Sequence, residues 1–394
     1  SMITIAGVTF SIVVVALVLA SNQFTPRVLR NFMRDRGNQW VIGSFVATFL
    51  YALLVLRGVR SGGSVYVPSL SVLVAVALAV VNLGVYIYFI HHIADSMRID
   101  RITERIARET HEGIDKVFRR AARGAEISSG TPELVKGREP AGAPVASQRD
   151  GYVETIDPER LLELCEEQDL RLALAVGVGD FVAQGAPLAW VEPAPEEEAL
   201  EKLAHEVRGA FLLGAGRSLT QDPGFGFQQI VDVAVKALSP GVNDPSTAAT
   251  CIDYLGSLLR DLVRRPEWLP DELTDGEGRP RVRLRQASFE DYLDLATFEI
   301  AVYGRSDAGT MLRLFGLLEE VEEEAEHEDR RAALARSFET MVGLAAEKLR
   351  TPVERERLTP ILRRLGGRLG VEPERLTAAG WSEAAQAPRA GFAG

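Results

Sequence analysis

The residues richest in chemistry lie between positions 222 and 247: Asp222-Pro223-Gly224-Phe225-Gly226-Phe227-Gln228, then Asp232, Lys236 and the run Ala237-Leu238-Ser239-Pro240-Gly241-Val242-Asn243-Asp244-Pro245-Ser246-Thr247. Gln228, Asp232 and Lys236 recur at i, i+4 and i+8, so they share one helix face on which Asp232 can pair with Lys236. Together with Asp222 and Asp244, Asp232 would also make a carboxylate set suited to a hard cation. The same acids have a plainer use. Asp222 and Asp244 each precede a proline, which is the pattern of an N-cap followed by proline at the first helical position, and Asn243 tolerates a left-handed turn. Capping accounts for much of the segment. Ligand binding is the alternative reading of Asp222, Gln228, Asp232, Asn243 and Asp244.

Elsewhere the catalytic signatures are missing. There is no GxxxxGK[ST] phosphate loop, no HExxH, no GxSxG elbow and no kinase set, and Gly214-Ala215-Gly216 lacks the strand–turn–helix setting of a dinucleotide site. Cys165 and Cys251 stand far apart, which excludes a disulfide framework and a cysteine-rich zinc site. Of the five histidines only His91 and His92 adjoin, and neighbouring helical positions point about 100° apart, so the two cannot chelate one ion together. They read as interface anchors, or as a ring in an oligomer. No enzyme, metal or cofactor is expected.

The elements that would position these residues divide into two solvents. Residues 1–100 hold seven Arg, no Lys and three acids, a net of +4 that leaves −15 of the overall −11 for residues 101–394. An acidic soluble part has no basic patch for phosphate backbones, which excludes nucleic acid as a partner. No charge occurs before Arg27, between Arg36 and Arg57 or between Arg60 and Asp95, and each gap is apolar enough for a helix that crosses a bilayer. Three spans are expected, near residues 3–20, 40–56 and 66–90. Arg27, Arg30, Arg34 and Arg36 follow the first and Arg98, Arg101, Arg105 and Arg108 the third, which puts both exits and the large C-terminal region in the cytoplasm of a multi-pass protein of the bacterial inner membrane. The first residues would then lie outside with no signal peptide before them, so a further upstream part is expected. Inside the spans, Thr4, Gly7 and Ser11, then Gly43 and Ala47, then Ser71, Ala75, Asn82 and Tyr86 fall at helical spacing. They read either as close helix packing or as the lining of a pore.

Beyond the membrane, Ile99, Ile102, Ile106, Ile114 and Val117 form one apolar stripe on a connecting helix over 96–120, available for self-association or for docking on its own domain. A linker rich in Gly, Ala, Ser and Pro covers 121–148. Residues 149–193 turn to β character, with a short helix after Pro158 and turn chemistry at Gly179-Asp180. Residues 194–370 read as a helical bundle with breaks at Gly214, Ser239 and Pro266, and short strands at 217–220 and 281–285 are candidates for pairing. A flexible tail covers 371–394. The fold class is therefore membrane α-helical with three spans, followed by a cytoplasmic α+β region made of a small barrel-like β module and a helical bundle.

Two resemblances refine this. The order G-x-V, then V-x-x-G-D-x-V-x-x-G-x-P-L over Gly151 to Leu188 resembles the barrel-sandwich modules that carry biotin or lipoate, but no lysine stands at the hairpin tip, so the resemblance implies a fold and no attached group. The run Asn22-Gln23-Phe24-Thr25-Pro26-Arg27-Val28-Leu29-Arg30-Asn31-Phe32, the exit Tyr88-Phe89-Ile90-His91-His92-Ile93 and Leu238-Ser239-Pro240-Gly241-Val242-Asn243-Asp244-Pro245 together resemble the bacterial predicted membrane protein family, domain of unknown function 2254, over most of residues 3–320. That resemblance implies the topology and additional upstream spans, and transfers no site.

Two functions fit. One is a homo-oligomeric channel for a small ion, lined by Thr4 and Ser11 or by Ser71, Asn82 and Tyr86, in which the cytoplasmic region gates or senses. The other is a membrane-anchored scaffold or sensor that recruits a cytoplasmic partner, for which those stripes are packing only.

Overall fold

The computed structural model describes Thr4, Gly7, Val8, Ser11 and residues 36–58, 69–96, 99–124, 142–265, 268–378, 380 and 381, and the chain divides into two compact units, 1–104 and 105–394.

In the first unit, α1 (Arg36–Gly58) and α2 (Ser69–Ser96) pack on each other. Within them Gln39–Arg57 and Ser69–His91 are long and apolar enough to cross a membrane. Leu54, Leu56, Leu70, Leu73, Val80 and Leu83 are exposed, whereas Phe45, Thr48 and Asn82 are buried. An apolar exterior of this kind suits lipid. These helices correspond to the second and third expected spans. The first lies outside the described residues apart from Thr4, Gly7, Val8 and Ser11, which are helical.

The second unit begins within α3 (Ile99–Gly124), whose sequence carries the amphipathic stripe. From Arg105 onward the helix docks on its own unit. Ile106 and Ile114 are buried, His111 Nδ1 lies 3.0 Å from Asp261, Arg265 reaches Asp115 at 2.5 Å, and the Phe118 ring meets Trp268 edge-on at 5.4 Å.

The β region comprises β1 (Ala143–Ala146), β2 (Gly151–Ile156), α4 (Pro158–Gln168), β3 (Arg171–Leu174), β4 (Phe181–Val182), β5 (Pro187–Glu192), α5 (Glu197–Gly209) and β6 (Phe211–Gly214). Two further strands, β7 (Glu272–Thr274) and β8 (Pro280–Arg283), come from much later in the chain. One sheet runs β1-β5-β3-β8-β7 and the other β4-β2-β6, and all pairings are antiparallel except β3 with β8. Val153, Leu161, Cys165, Leu172, Leu188, Val207 and Val282 close a common core, and burial pushes the Cys165 thiol up to about 12.

Three differences from the sequence reading have physical causes. β1 lies inside the stretch read as linker, because Val145 buries in the core and pairs with Ala189. The strands of 151–192 divide between two sheets that take β6, β7 and β8 from beyond residue 193. β8 pairs with β3 through the buried Leu172 and Val282, while 217–220 forms no strand, so the expected partnership between them is absent. Within the stretch read as tail, α12 (Pro373–Ala378) forms and Trp381 is 1% exposed, with Arg355 over its ring at 5.6 Å and bonded to the Gly380 carbonyl at 2.7 Å.

The helical part holds α6 (Pro223–Leu238), α7 (Pro245–Val263), α8 (Phe289–Gly304), α9 (Ala308–Glu322), α10 (Glu328–Lys348) and α11 (Pro352–Arg368). α6 contacts α7 and α8, α7 contacts α9, α8 contacts α10 and α9 contacts α11. Every one of these starts that follows Asp, Ser or Thr has a side-chain oxygen taking a first-turn N–H, including Asp222, Asp244, Ser288, Asp307 and Thr351. Such caps hold each helix start in register.

Candidate functional site

In the second unit, a cavity of about 500 Å³ opens between the β region and the bundle. Six stretches of chain wall it: Lys116 and Val117 of α3; Ile156 to Leu162 at the β2–α4 joint; Leu174 and the 178–180 turn; 217–224 leading into α6; 269–273; and 284–295 leading into α8. Its volume lies in the ~300–1,000 Å³ range of small-molecule sites, and its wall mixes aliphatic side chains with charged and polar ones.

At one side the chain holds an ion pair in tight register. Arg217 Nε donates to Asp222 Oδ2 at 2.7 Å and Nη2 to Oδ1 at 2.9 Å, while Asp222 Oδ1 also accepts the Phe225 N–H at 3.0 Å. Asp222 is only 5% exposed, and the bidentate guanidinium makes its charge tolerable there. The 178–180 turn lies against this pair. Gly179 has φ +92°, and a Cβ there would stand 2.6 Å from Asp222 Oδ2, so glycine is required for both backbone and space. Asp180 fixes the same turn by accepting the Gly177 N–H at 2.9 Å.

Tyr292 of α8 is 7% exposed, with its ring packed on Phe227 at 5.3 Å and near Trp268 at 6.2 Å. Burial, aided by the Asp222 charge and opposed by Arg217, holds its phenol above the ordinary tyrosine range, so it stays a neutral O–H. That hydroxyl has no hydrogen-bond partner among the described residues.

The residues singled out in the sequence disperse. Asp222 is in the cavity wall. Gln228 Nε2 donates to Asp232 at 2.9 Å on the flank of α6. Asp244 caps α7, accepting from the Thr247 N–H at 3.2 Å, its hydroxyl at 2.6 Å and the Ser246 hydroxyl at 2.5 Å. Those donors, Ser246 foremost, hold its carboxyl below the ordinary range. Asn243 is exposed at φ +49° and supplies the left-handed turn before the cap. Asp222 and Asp244 stand at opposite ends of α6, a helix of 16 residues and so about 24 Å, so the three acids form no cation site. Among the described residues no cluster of His, Cys, Asp and Glu is placed to hold a metal.

In the first unit, Asn82 is 3% exposed and donates to Thr48 Oγ1 at 2.6 Å and to the Ser44 carbonyl at 3.5 Å. Tyr51 donates to the Ser71 carbonyl at 3.4 Å, and Tyr86 meets Phe45 edge-on at 6.4 Å. Of the polar stripe of α2, the Asn82 amide is thus spent on α1. Thr4 and Ser11 are exposed, Ser11 donating to the Gly7 carbonyl at 2.9 Å. His91 is exposed and donates from Nδ1 to the Ile87 carbonyl at 3.0 Å, and the side chain of His92 lies outside the described residues.

Sequence reasoning missed Lys116, Arg217, Arg285 and Tyr292. The one local signal was Gly179-Asp180, read as a turn and not as the support of a site.

Comparison with known proteins adds the following. The model of the predicted membrane protein family DUF2254 matches residues 1–320. Uncharacterized proteins of Mycobacterium bovis and of Mycobacterium tuberculosis H37Rv are each 33% identical over 356 residues, and one of the M. tuberculosis strain CDC 1551 is 32% identical over the same length. The alignments cover 88% of this chain and 66% of each relative, so the chain spans about two thirds of the curated relatives it matches. No solved structure matches.

Proposed function

We propose that this chain, which belongs to the DUF2254 family of predicted membrane proteins, is a membrane-held sensor whose soluble unit takes a small ligand into the cavity beside Arg217, Asp222 and Tyr292. The observation that carries this reading is the cavity itself, large enough for a ligand and provided with a buried phenol that has no partner among the described residues. α3 supplies part of its wall, and Ile99, where α3 starts, follows Ser96, where α2 ends, by three positions. A ligand that tightens or loosens α3 therefore acts on the element next in sequence to a candidate membrane span. The reading is non-catalytic and places the soluble unit in the cytoplasm of a bacterial cell, below a multi-pass inner-membrane segment, on the arginine distribution. Its acidic surface is suited to recruiting a partner.

A homo-oligomeric channel is the second reading. The uncharged apolar segments and the Thr4 and Ser11 positions favour it, since a passive pore needs no ionised group at mid-depth. The engagement of Asn82 with Thr48 and Ser44 weighs against a pore along α2.

Filling the cavity by Leu295→Trp imitates occupancy and tests the sensor. In the full chain in lipid nanodiscs, hydrogen exchange of the α3 amides is expected to change by severalfold relative to the wild type while exchange in α9 and α11 stays as it was. Unchanged α3 exchange in a folded Leu295→Trp protein would sink the coupling.

A further inference from the structure

We infer that the ligand is an amphipathic anion, an apolar body ending in a carboxylate or phosphate; this rests on the cavity being a ligand site. Three cationic side chains, Lys116, Arg217 and Arg285, stand in the cavity wall. Its carboxylates each accept from the protein already: Asp222 from Arg217 and the Phe225 N–H, Asp180 from the Gly177 N–H with Arg285 at 3.8 Å, and Asp291 from the backbone N–H and hydroxyl of Ser288 at 2.7 and 2.8 Å. Glu159 is engaged as well.

The donors are not used up. Lys116 is exposed and has no partner among the described residues. Arg217 commits Nε and Nη2 to Asp222 and keeps Nη1. Arg285 gives Nη1 to the Ala175 carbonyl at 3.1 Å and keeps Nη2. Tyr292 lines the cavity, and its hydroxyl proton has no acceptor among the described residues. A negatively charged group rich in acceptors can form charge-assisted bonds to Lys116, Arg217 and Arg285. Leu174, Leu284 and Leu295 give the rest of such a molecule an aliphatic wall to lie against, beside the uncharged polar side chains of Thr220, Gln221 and Gln286.

Equilibrium dialysis of the full chain in phosphatidylcholine nanodiscs, with empty nanodiscs subtracted, tests this with three probes: octanoate, octyl phosphate and the neutral octanol. Saturable binding of the two anions about tenfold or more tighter than octanol is expected, the worth of one charge-assisted hydrogen bond. Lys116→Ala with Arg285→Ala, both on exposed side chains, should cut that preference severalfold while octanol affinity changes by less than about twofold, Arg217 and Tyr292 being left in place. Leu295→Trp should weaken all three. Octanol binding as tightly as the anions, or a preference undiminished by the double variant, overturns the ligand class while the cavity stands as a site. No saturable binding of any probe, identical in wild type and Leu295→Trp, overturns both.

Discussion

At Gly226 α6 leaves no room for a side chain beside Thr110 of α3, and replacing it by alanine puts the docking of α3 to a quantitative test. A Cβ at this position would lie 1.9 Å from Thr110 Oγ1 and 2.9 Å from both Cβ and Cγ2 of Thr110. Rotating Thr110 about χ1 leaves its own Cβ at 2.9 Å. The residue is β-branched in a helix, and its hydroxyl is tied to the Ile106 carbonyl at 2.7 Å. The helices must therefore part. Overpacking of this kind costs about 1–3 kcal/mol, and the better helix propensity of Ala over Gly returns about 1 kcal/mol, leaving a net loss of about 0–2 kcal/mol in global stability. The local effect is larger, since the propensity gain belongs to α6 while the clash is felt by α3, whose amides should open more easily by about 1–3 kcal/mol. Thr110→Ala removes Oγ1 and Cγ2 and leaves only the Cβ contact at 2.9 Å. The double variant should then recover most of the loss, a coupling of about 1–2 kcal/mol in a double-mutant cycle. Native-state hydrogen exchange of α3 beyond Arg105, run beside thermal unfolding of the full chain in nanodiscs, supplies both numbers. If Gly226→Ala leaves α3 protection unchanged, or if Thr110→Ala relieves nothing, α3 is not held on α6 as described.

The other expectations are shorter. Asn82→Leu should loosen the α1–α2 pair by about 0.6–1.7 kcal/mol, the range for hydrogen bonds between membrane helices, and leave ion flux into proteoliposomes unchanged; flux that the variant alters would restore the pore along α2. Trp381→Ala should cost about 3–5 kcal/mol in thermal unfolding, whereas an unchanged midpoint would mean that α12 and Trp381 do not belong to the folded unit. Asp244→Ala should cost about 1 kcal/mol through the lost cap. Because its folded pKa is depressed, the stability Asp244 adds is fully present above the ordinary carboxylate pKa of about 4 and is lost as pH falls through the lower folded value, so the gap in unfolding midpoint between wild type and Asp244→Asn should narrow in acid and be flat at neutral pH.

How far the fold could be read in advance depended on how local its causes are. The charge-free gaps that announce α1 and α2, and the Asp-Pro pairs that start α6 and α7, are properties of a few adjacent residues, and local physics alone decides them. The sheets were legible only where strand met strand nearby. β3 and β8 pair across more than a hundred residues, and nothing in the Arg-Val-Arg pattern of 281–283 names Leu172 as its neighbour. The cavity is the extreme case, since its wall is drawn from six stretches between Lys116 and Leu295. This explains why the residues most conspicuous in the sequence and those best placed to bind stand apart. Asn243 and Asp244 are unusual because the joint between α6 and α7 demands a left-handed residue and then a cap, a demand made by backbone geometry and met about 24 Å from the cavity end of α6. Arg217 and Tyr292 carry no such local demand. Each would be ordinary on its own; what makes them a site is that Asp222, placed by its duty as a cap, draws Arg217 inward and is neutralised by it, leaving the free Nη1 and the buried phenol of Tyr292 as donors waiting for an acceptor.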